Sequence, residues 1–294
     1  MLPRRFARPI LLFSALAIAA LVVFAACGGG EETAKATPSG SQSPAATKID
    51  VSGVTELQDK KLTVGSDIAY APIEFLEAGT QNAVGLDIDI ANAMGKLLGV
   101  DVEFLQVSSF EGIVGDLQAK RYDMIMSAIT INEKRQKEID FIAYFDAGTG
   151  ILVPKGNPKG LKTFDDLCGL KVAAQLGTVQ VDQMNAANDG TCKDKKIDVK
   201  TFPDNPFAVQ ELKLGRADAE LADFPVAAYD AKQSDGKLEV LSTQFEAAPY
   251  GIGVRKDSTK LKTVLEKAFS AIRADGTYAN ILAKWGLQAG KLAQ

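Results

Sequence analysis

The chain has 294 residues, of which 46% are hydrophobic, and it has a formal net charge of −4 and no histidine. This acidic balance argues against binding to nucleic acid, which needs a basic surface. Without histidine the chain lacks the commonest general base and the commonest metal ligand, so we expect neither a metal site nor another cofactor.

The N-terminus has the layout of an export signal. Three arginines precede an uncharged apolar run at 9–26, which ends in small residues directly before Cys27. This order is typical of a signal peptide, and it resembles a bacterial lipoprotein box in which Phe24 stands where Leu is usual. We expect cleavage after residue 26, lipidation of Cys27 and a mature net charge of −7, because three arginines and no acid are removed. The alternative is an uncleaved anchor, since the run is just long enough to span a bilayer. Both interpretations place the body outside the cytoplasm, at the cell surface or in the periplasm.

Residues 27–58 are predicted to be a disordered tether, because small and polar residues dominate from Gly28 to about Gly53. Beyond the tether, Leu62–Val64 is predicted to be a strand, and apolar residues at helical spacing predict a helix over 87–98. Short β-rich and helical segments then alternate at Val102–Leu105, Ile113–Gln118, Met124–Ala128, Val172–Ala174, Val179–Ala187, Ala219–Ala222 and Pro225–Ala231. The alternation predicts an α/β chain with largely parallel sheets.

A short pattern recurs in the two halves of the chain. Leu, Arg and Asp stand at matching offsets in 117–123 and 212–218, and an apolar run follows each of them. The recurrence predicts one structural unit built twice, although three identities are also compatible with chance. Because ligands gather at the carboxyl ends of strands, two facing units would place Ala128 and Asp223 on opposite walls of one cleft.

Besides Cys27, the chain contains only Cys168 and Cys192. In an exported protein the two most simply form a disulfide, and the alternative is a pair of unrelated buried thiols. Neither cysteine is predicted to be a nucleophile, since there is no histidine to activate it.

Two segments offer groups that bind a carboxylate. Thr130 or Asn132 can cap a helix that has Arg135 in its first turn, where the helix dipole disfavours a cation. A bound anion removes that conflict, and the alternative is a solvated Arg135 beside two glutamates. Thr178 and Val179 follow a predicted strand and offer a second set of backbone N–H groups.

Three further residues are candidates for the other parts of a ligand. Asp223 follows a predicted strand and either binds an ammonium group or caps the next helix. Tyr70 and Phe110 can flank a ligand side chain, and ordinary core packing is the alternative for both.

Five motifs, in order along the chain, resemble the family 3 solute-binding proteins of amino-acid ABC importers. They are Ala69–Pro72, Gly85–Leu98, Ile129–Arg135, Gly215–Asp218 and Ala274–Gly286. The resemblance implies a type II periplasmic-binding-protein fold, with two α/β lobes joined by two crossing strands around a central cleft. Lobe 1 would contain residues 59–149 and 250–294, and lobe 2 would contain residues 150–249.

The resemblance also implies how the charged ends of an amino acid are held. Arg135 would bind the carboxylate with the N–H groups of Thr130 and Val179. Asp223 would bind the α-ammonium, together with the carbonyl of Ala128 and the hydroxyl of Thr130.

For the ligand side chain, the resemblance implies that Tyr70 and Phe110 flank it and that Asp67 meets its polar end. Gln175 stands where some relatives carry Lys, and no Arg or Lys occupies the matching side-chain positions. A polar or basic amino acid is therefore expected rather than an acidic one.

We expect a monomeric, membrane-anchored lipoprotein without catalytic activity, which passes a free amino acid to an ABC transporter permease in the membrane. A rival hypothesis is an enzyme resembling cyclohexadienyl or arogenate dehydratase on the same fold, which needs a carboxylic acid to protonate a leaving hydroxyl. The chain has the amide Gln180 near that position. A third is a sensor domain that presents its ligand to a membrane receptor.

Overall fold

The structure is a computed structural model that describes residues 48–292. The predicted signal peptide, the predicted lipidation site Cys27 and the predicted tether up to residue 47 lie outside the described residues. Among residues 48–292 no helix has the length and apolar character needed to cross a membrane.

Strands and helices alternate along the described chain. The strands are β1 (Lys61–Ser66), β2 (Ala69–Tyr70), β3 (Glu74–Leu76), β4 (Ala83–Val84), β5 (Asp101–Gln106), β6 (Met124–Ile125), β7 (Ile139–Pro154), β8 (Lys171–Gln175), β9 (Asp198–Phe202), β10 (Ala219–Asp223), β11 (Leu238–Val240) and β12 (Phe245–Arg255). The α-helices are α1 (Leu86–Leu98), α2 (Ile113–Gln118), α3 (Glu133–Gln136), α4 (Val179–Asp189), α5 (Asn205–Lys213), α6 (Phe224–Lys232), α7 (Thr259–Ala274) and α8 (Thr277–Trp285).

The main sheet has two parallel parts joined by a long antiparallel pair. Its order is β5-β1-β6-β12-β7-β10-β8-β9, with β11 paired to β7. Strands β5, β1 and β6 run parallel to one another, and so do β10, β8 and β9. The 16-residue β7 and the 11-residue β12 pair with each other and connect the two parts. The predicted α/β fold, with two halves joined by two crossing strands, is confirmed.

The recurring Leu-Arg-Asp pattern has the same structural role in both halves. Each copy joins a helix to the strand that packs beside the central pair, through α2 to β6 and through α5 to β10. Asp123 Oδ2 accepts the N–H of Thr63 at 2.9 Å, and Asp218 Oδ2 accepts the N–H of Lys171 at 2.9 Å. Each aspartate therefore fastens its own strand to the neighbouring parallel strand, and the unit is built twice.

Separate hydrophobic cores lie in the two halves. The larger one packs α1, α7 and α8 against the sheet, with Leu62, Val64, Met94, Leu265 and Ile272 among its buried members. A smaller core in the other half joins the apolar side chains of β7, β8 and β10 to α4.

The ordered body begins before residue 59, so the predicted boundary of the tether at residue 58 is wrong. Val51, Val54 and Leu57 are buried in the larger core, and Thr55–Leu57 forms a 3₁₀ turn. The N–H of Ile49 donates to the carbonyl of Leu97 at 2.9 Å. Apolar residues spaced three apart suffice to hold this segment on the body, although the residues before it are polar.

The predicted disulfide between Cys168 and Cys192 is confirmed. The two Cα atoms are 5.1 Å apart, within the range for an S–S bond, and the residues are separated by 24 positions. The bond joins the end of the turn Phe164–Leu167 to the segment after α4, beside the smaller core.

Candidate ligand-binding site

All nine residues predicted to contact a ligand line one cavity between the two halves. They are Asp67, Tyr70, Phe110, Ala128, Thr130, Arg135, Thr178, Val179 and Asp223. The volume of the cavity is about 10 Å³. Small-molecule sites usually measure roughly 300–1,000 Å³. The walls are therefore almost in contact, and the molecule is in a closed form.

Arg135 reaches across the cleft from the first turn of α3. Its N–H is capped at 2.9 Å by the side chain of Asn132, which resolves the choice between the two predicted capping residues. One guanidinium nitrogen donates to the carbonyl of Thr130 at 2.7 Å, and the other donates to the carbonyl of Gly177, in the opposite half, at 3.0 Å. The guanidinium carbon lies 5.5 Å from the centre of the Phe110 ring. Burial lowers the pKa of Arg135 to about 10, and the charge of Asp223 opposes that shift. Arg135 is thus not the solvated residue of the alternative hypothesis.

Backbone groups surround the same cavity. Ala128 has a φ of +44°, and its N–H donates to Asp87 at 3.0 Å. Strand β6 ends at Ile125, so the prediction of a strand through residue 128 is wrong at its end. Thr178 occupies the N-cap position of α4, whose first residue is Val179, and the Thr178 hydroxyl donates to the carbonyl of Gln175 at 2.8 Å.

Asp223 ends β10 and is held by groups from both halves. Its Oδ1 accepts from the amide of Gln180 at 2.8 Å, and its Oδ2 accepts from the hydroxyl of Tyr70 at 3.2 Å. The same Tyr70 hydroxyl accepts the backbone N–H of Asp223 at 2.9 Å. Burial raises the pKa of Asp223 to about 6, although hydrogen bonds and the charge of Arg135 oppose this. Its side chain does not cap α6.

Asp67 lies just past β1, and its carboxylate has only amide partners. Gln175, from the opposite half, donates to one oxygen, and Gln106 donates to the other at 3.1 Å. The side chain of Gln175 also donates to the carbonyl of Pro203 at 3.3 Å. Burial raises the pKa of Asp67, whereas the two glutamines favour its charged form.

The two predicted aromatic residues line the cavity in different ways. Tyr70 packs in the larger core with its hydroxyl on Asp223. Phe110 belongs to a separate apolar cluster beside α2 and presents its ring to Arg135. Both residues therefore pack in an apolar core and also line the cavity.

Four cavity residues were not assigned ligand contacts from the sequence: Glu74, Ser127, Gln175 and Gln180. Ser127 adjoins a predicted residue, and Gln180 follows the predicted N–H segment by one position. Glu74 had one visible signal, an acid in the apolar run Ile73–Leu76. No group of three or more acidic or cysteine side chains in residues 48–292 could hold a metal ion.

The model of the bacterial extracellular solute-binding proteins, family 3, matches residues 62–288. The chain belongs to this family. The L-cystine-binding protein TcyJ of Escherichia coli (strain K12) is 32% identical over 225 residues, which are 76% of this chain and 82% of that protein. The arginine-binding protein ArgT of Corynebacterium glutamicum is 31% identical over 234 residues, which are 79% of this chain and 76% of ArgT.

Solved structures of amino acid-binding proteins resemble this solute-binding protein in fold. An ancestral arginine-binding protein bound to arginine has a TM-score of 0.72 and 38% identity, covering 77% of this chain and 98% of its own. The ancestral amino acid-binding protein AncCDT-1, described as a precursor of cyclohexadienyl dehydratase, has a TM-score of 0.69 and 37% identity. It covers 78% of this chain and 96% of its own.

Proposed function

We propose that this solute-binding protein captures an L-amino acid with a cationic side chain and delivers it to an ABC transporter permease. The observation that carries the proposal is the meeting of Arg135 and Asp223 on one cavity. A guanidinium suits the carboxylate of an amino acid, and a carboxylate suits its ammonium group. Arg135 and the N–H groups of Thr130 and Val179 would bind the first, while Asp223, the carbonyl of Ala128 and the hydroxyl of Thr130 would bind the second.

Among polar and basic amino acids, the charge of the cavity favours the basic ones as ligands. Once Arg135 and Asp223 are matched by the ends of an amino acid, the carboxylate of Asp67 has only the neutral amides of Gln175 and Gln106. A buried carboxylate gains more from a cationic donor than from an amide. Tyr70 and Phe110 would flank the aliphatic part of the ligand. Arginine and lysine combine these features, and arginine is named for relatives of similar sequence and structure.

Ligand entry requires the cleft to open and the glutamines to rearrange. Gln180 occupies the oxygen of Asp223 that faces α4, and Gln175 occupies one oxygen of Asp67. A bound amino acid would replace these amides with its own ammonium and side-chain groups. Because the ligand then contacts both halves, it stabilises the closed form more than the open one and shifts the population toward closure. The halves that move are the proposed lobe 1, residues 59–149 and 250–294 joined by the ordered segment 48–58, and lobe 2, residues 150–249.

Isothermal titration tests the assignment of the ligand. After removal of co-purified ligand by unfolding and refolding, the mature protein should bind L-arginine or L-lysine more tightly than L-glutamine. L-Glutamate should not bind, since it would bring a second carboxylate to Asp67. Thermal shift with all twenty amino acids gives an independent ranking, because a ligand that binds the folded state raises its melting temperature. If none of the twenty amino acids binds, the proposal is wrong.

The proposal includes anchoring through lipidated Cys27 and a monomeric protein without catalysis. The rival dehydratase function has one structural relative in its favour, AncCDT-1, but the chain has the amide Gln180 near the position where those enzymes present their acid, and an amide cannot donate that proton. Incubation with prephenate or arogenate while recording product absorbance tests that rival, and product formation would support it. Palmitate labelling of the full chain and of Cys27→Ala tests the anchor, and label in both proteins would contradict it.

A further inference from the structure

Two fully buried carboxyl groups lie at the floor of the cavity, one of which, that of Glu74, lines it. Glu74 begins β3 and is 1% exposed, and Asp87 lies in the first turn of α1 and is 0% exposed. Glu74 Oε1 accepts the hydroxyl of Ser127 at 3.0 Å. Asp87 Oδ2 accepts the hydroxyl of Tyr144 at 2.8 Å and the N–H of Ala128 at 3.0 Å. Both carboxyls thus hold the Ser127–Ala128 segment that lines the cavity.

Each of the two carboxyls has one further oxygen that lacks a hydrogen-bond donor, and a single proton can serve both oxygens. Glu74 Oε2 and Asp87 Oδ1 are buried and accept no hydrogen bond from another group. The two residues are neighbours, because the N–H of Asp87 donates to the carbonyl of Ile73, next to Glu74, at 3.0 Å, and their carboxyls bind the consecutive residues Ser127 and Ala128. A hydrogen bond with Glu74 lowers the pKa of Asp87 against the effect of burial. Two adjacent buried carboxylates cannot both be charged, because neither solvent nor a cation offsets their repulsion. A single proton between Oε2 and Oδ1 removes the repulsion and gives both oxygens a partner.

The surroundings assign this proton to Glu74. Asp87 accepts two donors that stabilise its charge, whereas Glu74 accepts one. Glu74 also faces the charges of Asp67 and Asp223 across the cavity, and its pKa is raised by burial first and by Asp87 next. The other titratable groups that face the pair are Tyr70 and Tyr144, both with pKa values raised by burial.

We propose that Glu74 and Asp87 are positioning residues that hold the Ser127–Ala128 segment through one shared proton, carried by Glu74 and donated to Asp87. Asp87 fixes the N–H of Ala128, whose left-handed backbone is otherwise unfavourable for a residue with a side chain. Ser127 passes the restraint on, since its hydroxyl accepts the N–H of Asp67 at 2.9 Å. One buried pair thereby orders the segment at Ala128 and the start of the side-chain subsite. The predicted effect on ligand affinity rests on the proposed function, whereas the presence of the shared proton is independent of it.

Two amide substitutions with opposite expectations test the proposal. In Glu74→Gln, the new amide accepts from Ser127 through its oxygen and donates to Asp87 through its nitrogen, as the protonated acid does. In Asp87→Asn, the new amide must keep its oxygen toward Ala128 and Tyr144, so its nitrogen faces Glu74 and favours a charged Glu74 beside Asp67 and Asp223. With L-arginine as the probe at pH 7, Kd should weaken at least about tenfold in Asp87→Asn, because a neutral amide holds the N–H of Ala128 less firmly than a carboxylate does. The loss should be smaller in Glu74→Gln, which keeps both hydrogen bonds of the protonated acid.

The pH dependence of unfolding is the second readout, and it needs no ligand. A group with a raised pKa in the folded state takes up a proton on folding, so wild type should lose stability relative to Glu74→Gln as pH rises above about 5. The ratio of the two folding equilibrium constants should change by up to about tenfold per pH unit in favour of Glu74→Gln. Urea unfolding of both ligand-free proteins between pH 5 and pH 8 measures it.

Parallel pH profiles for wild type and Glu74→Gln would overturn the shared proton. Equal losses of L-arginine affinity in the two variants would overturn its assignment to Glu74. If Asp87→Asn does not fold, the Glu74→Gln profile still decides. If L-arginine binds none of the proteins, the proposed function fails while the unfolding profiles still test the pair.

Discussion

The hydroxyl of Tyr70 accepts the backbone N–H of Asp223 at 2.9 Å and donates to the carboxylate of the same residue at 3.2 Å. The two residues are 153 positions apart. Tyr70 lies in β2, which forms a small separate sheet with β3 and β4, whereas Asp223 ends β10 of the main sheet in the other half of the molecule. Opening of the cleft would separate them. The orientation of the proposed ammonium-binding carboxylate is therefore coupled to closure of the cleft.

Ligand affinity should depend on pH through Asp223. Its pKa of about 6 in the ligand-free protein means that roughly one tenth of the molecules have it ionised at pH 5. Because an ammonium group needs the ionised form, the Kd for L-arginine should weaken roughly tenfold between pH 8 and pH 5. Titration calorimetry across this range measures the effect.

Asp223→Asn is the control for this dependence. It should bind weakly at every pH, and the step near pH 6 should be absent. The raised pKa of Asp223 also affects the stability of the ligand-free protein, in the opposite direction. Between about pH 4 and pH 6 the folded state holds a proton that the unfolded chain releases, so the free energy of unfolding falls as pH rises through this range. An affinity that is constant from pH 5 to pH 8 would contradict the role of Asp223.

Arg135→Lys should weaken binding despite the conserved charge. The two terminal nitrogens of Arg135 reach the carbonyls of Thr130 and Gly177 in opposite halves. A lysine ammonium cannot present two parallel donors to a ligand carboxylate. Loss of one of two charge-assisted hydrogen bonds to the ligand carboxylate should weaken the Kd for L-arginine by at least about tenfold. Calorimetry at pH 7 tests this, with the melting temperature of the ligand-free variant as the control for folding.

Asp67→Asn should alter selectivity more than overall binding. The carboxylate of Asp67 is the proposed partner of a cationic side chain, and the matching amide lacks its charge. Affinity for L-arginine should fall by roughly 10- to 100-fold, the range for a hydrogen bond to a charged group. Affinity for L-glutamine should change by less than about threefold. A proportional loss for both ligands would instead indicate that Asp67 acts on the shape of the cavity.

The residues placed on the cavity from the sequence share one property: each stands at a recognisable position along the chain. Asp67 and Asp223 follow strands, and Arg135 lies in a first helical turn where its charge is unfavourable. Such local signals survive in the fold because strand ends converge at one edge of a sheet. For Phe110 the local pattern left core packing and cavity lining open, and the residue does both.

Residues whose role depends on distant partners gave only a weak local signal. Glu74 has a role only because folding brings it to Asp87 and Ser127. In the same way, β7 and β12 pair although about a hundred residues lie between them. The early start of the ordered body was missed for a related reason. The segment has only three large apolar residues that are buried, Val51, Val54 and Leu57. Their burial in the larger core offsets the entropy cost of ordering the segment, and the sequence does not show that core.

Removal of the disulfide should lower stability without removing the site. Cys168 and Cys192 do not line the cavity, and their bond restricts a loop of 24 positions in the unfolded chain. The double variant Cys168→Ser, Cys192→Ser should lose about 3 kcal/mol of unfolding free energy. Its affinity for L-arginine at 25 °C should stay close to that of wild type. Urea unfolding with and without a reductant checks the prediction, and an unchanged midpoint on reduction of the wild-type protein would contradict it.

Gly177→Ala should impede closure of the cleft. Gly177 has a φ of +82°, and a β carbon on it would lie 2.5 Å from the Cα of Glu111, which belongs to the other half. That neighbour is backbone and cannot rotate away, so the halves must stay further apart. The Kd for L-arginine should weaken at least about tenfold, and small-angle X-ray scattering should record less compaction on addition of ligand.

Gly215→Ala separates this steric effect from backbone strain. Gly215 also has a positive φ, +69°, but nothing lies within 4 Å of the position that its β carbon would take. Both variants should lose about 1 kcal/mol of stability from the left-handed backbone. Only Gly177→Ala should lose affinity, because only there does the added methyl group meet the opposite half. Equal affinities in the two variants would mean that the contact between Gly177 and Glu111 does not limit closure.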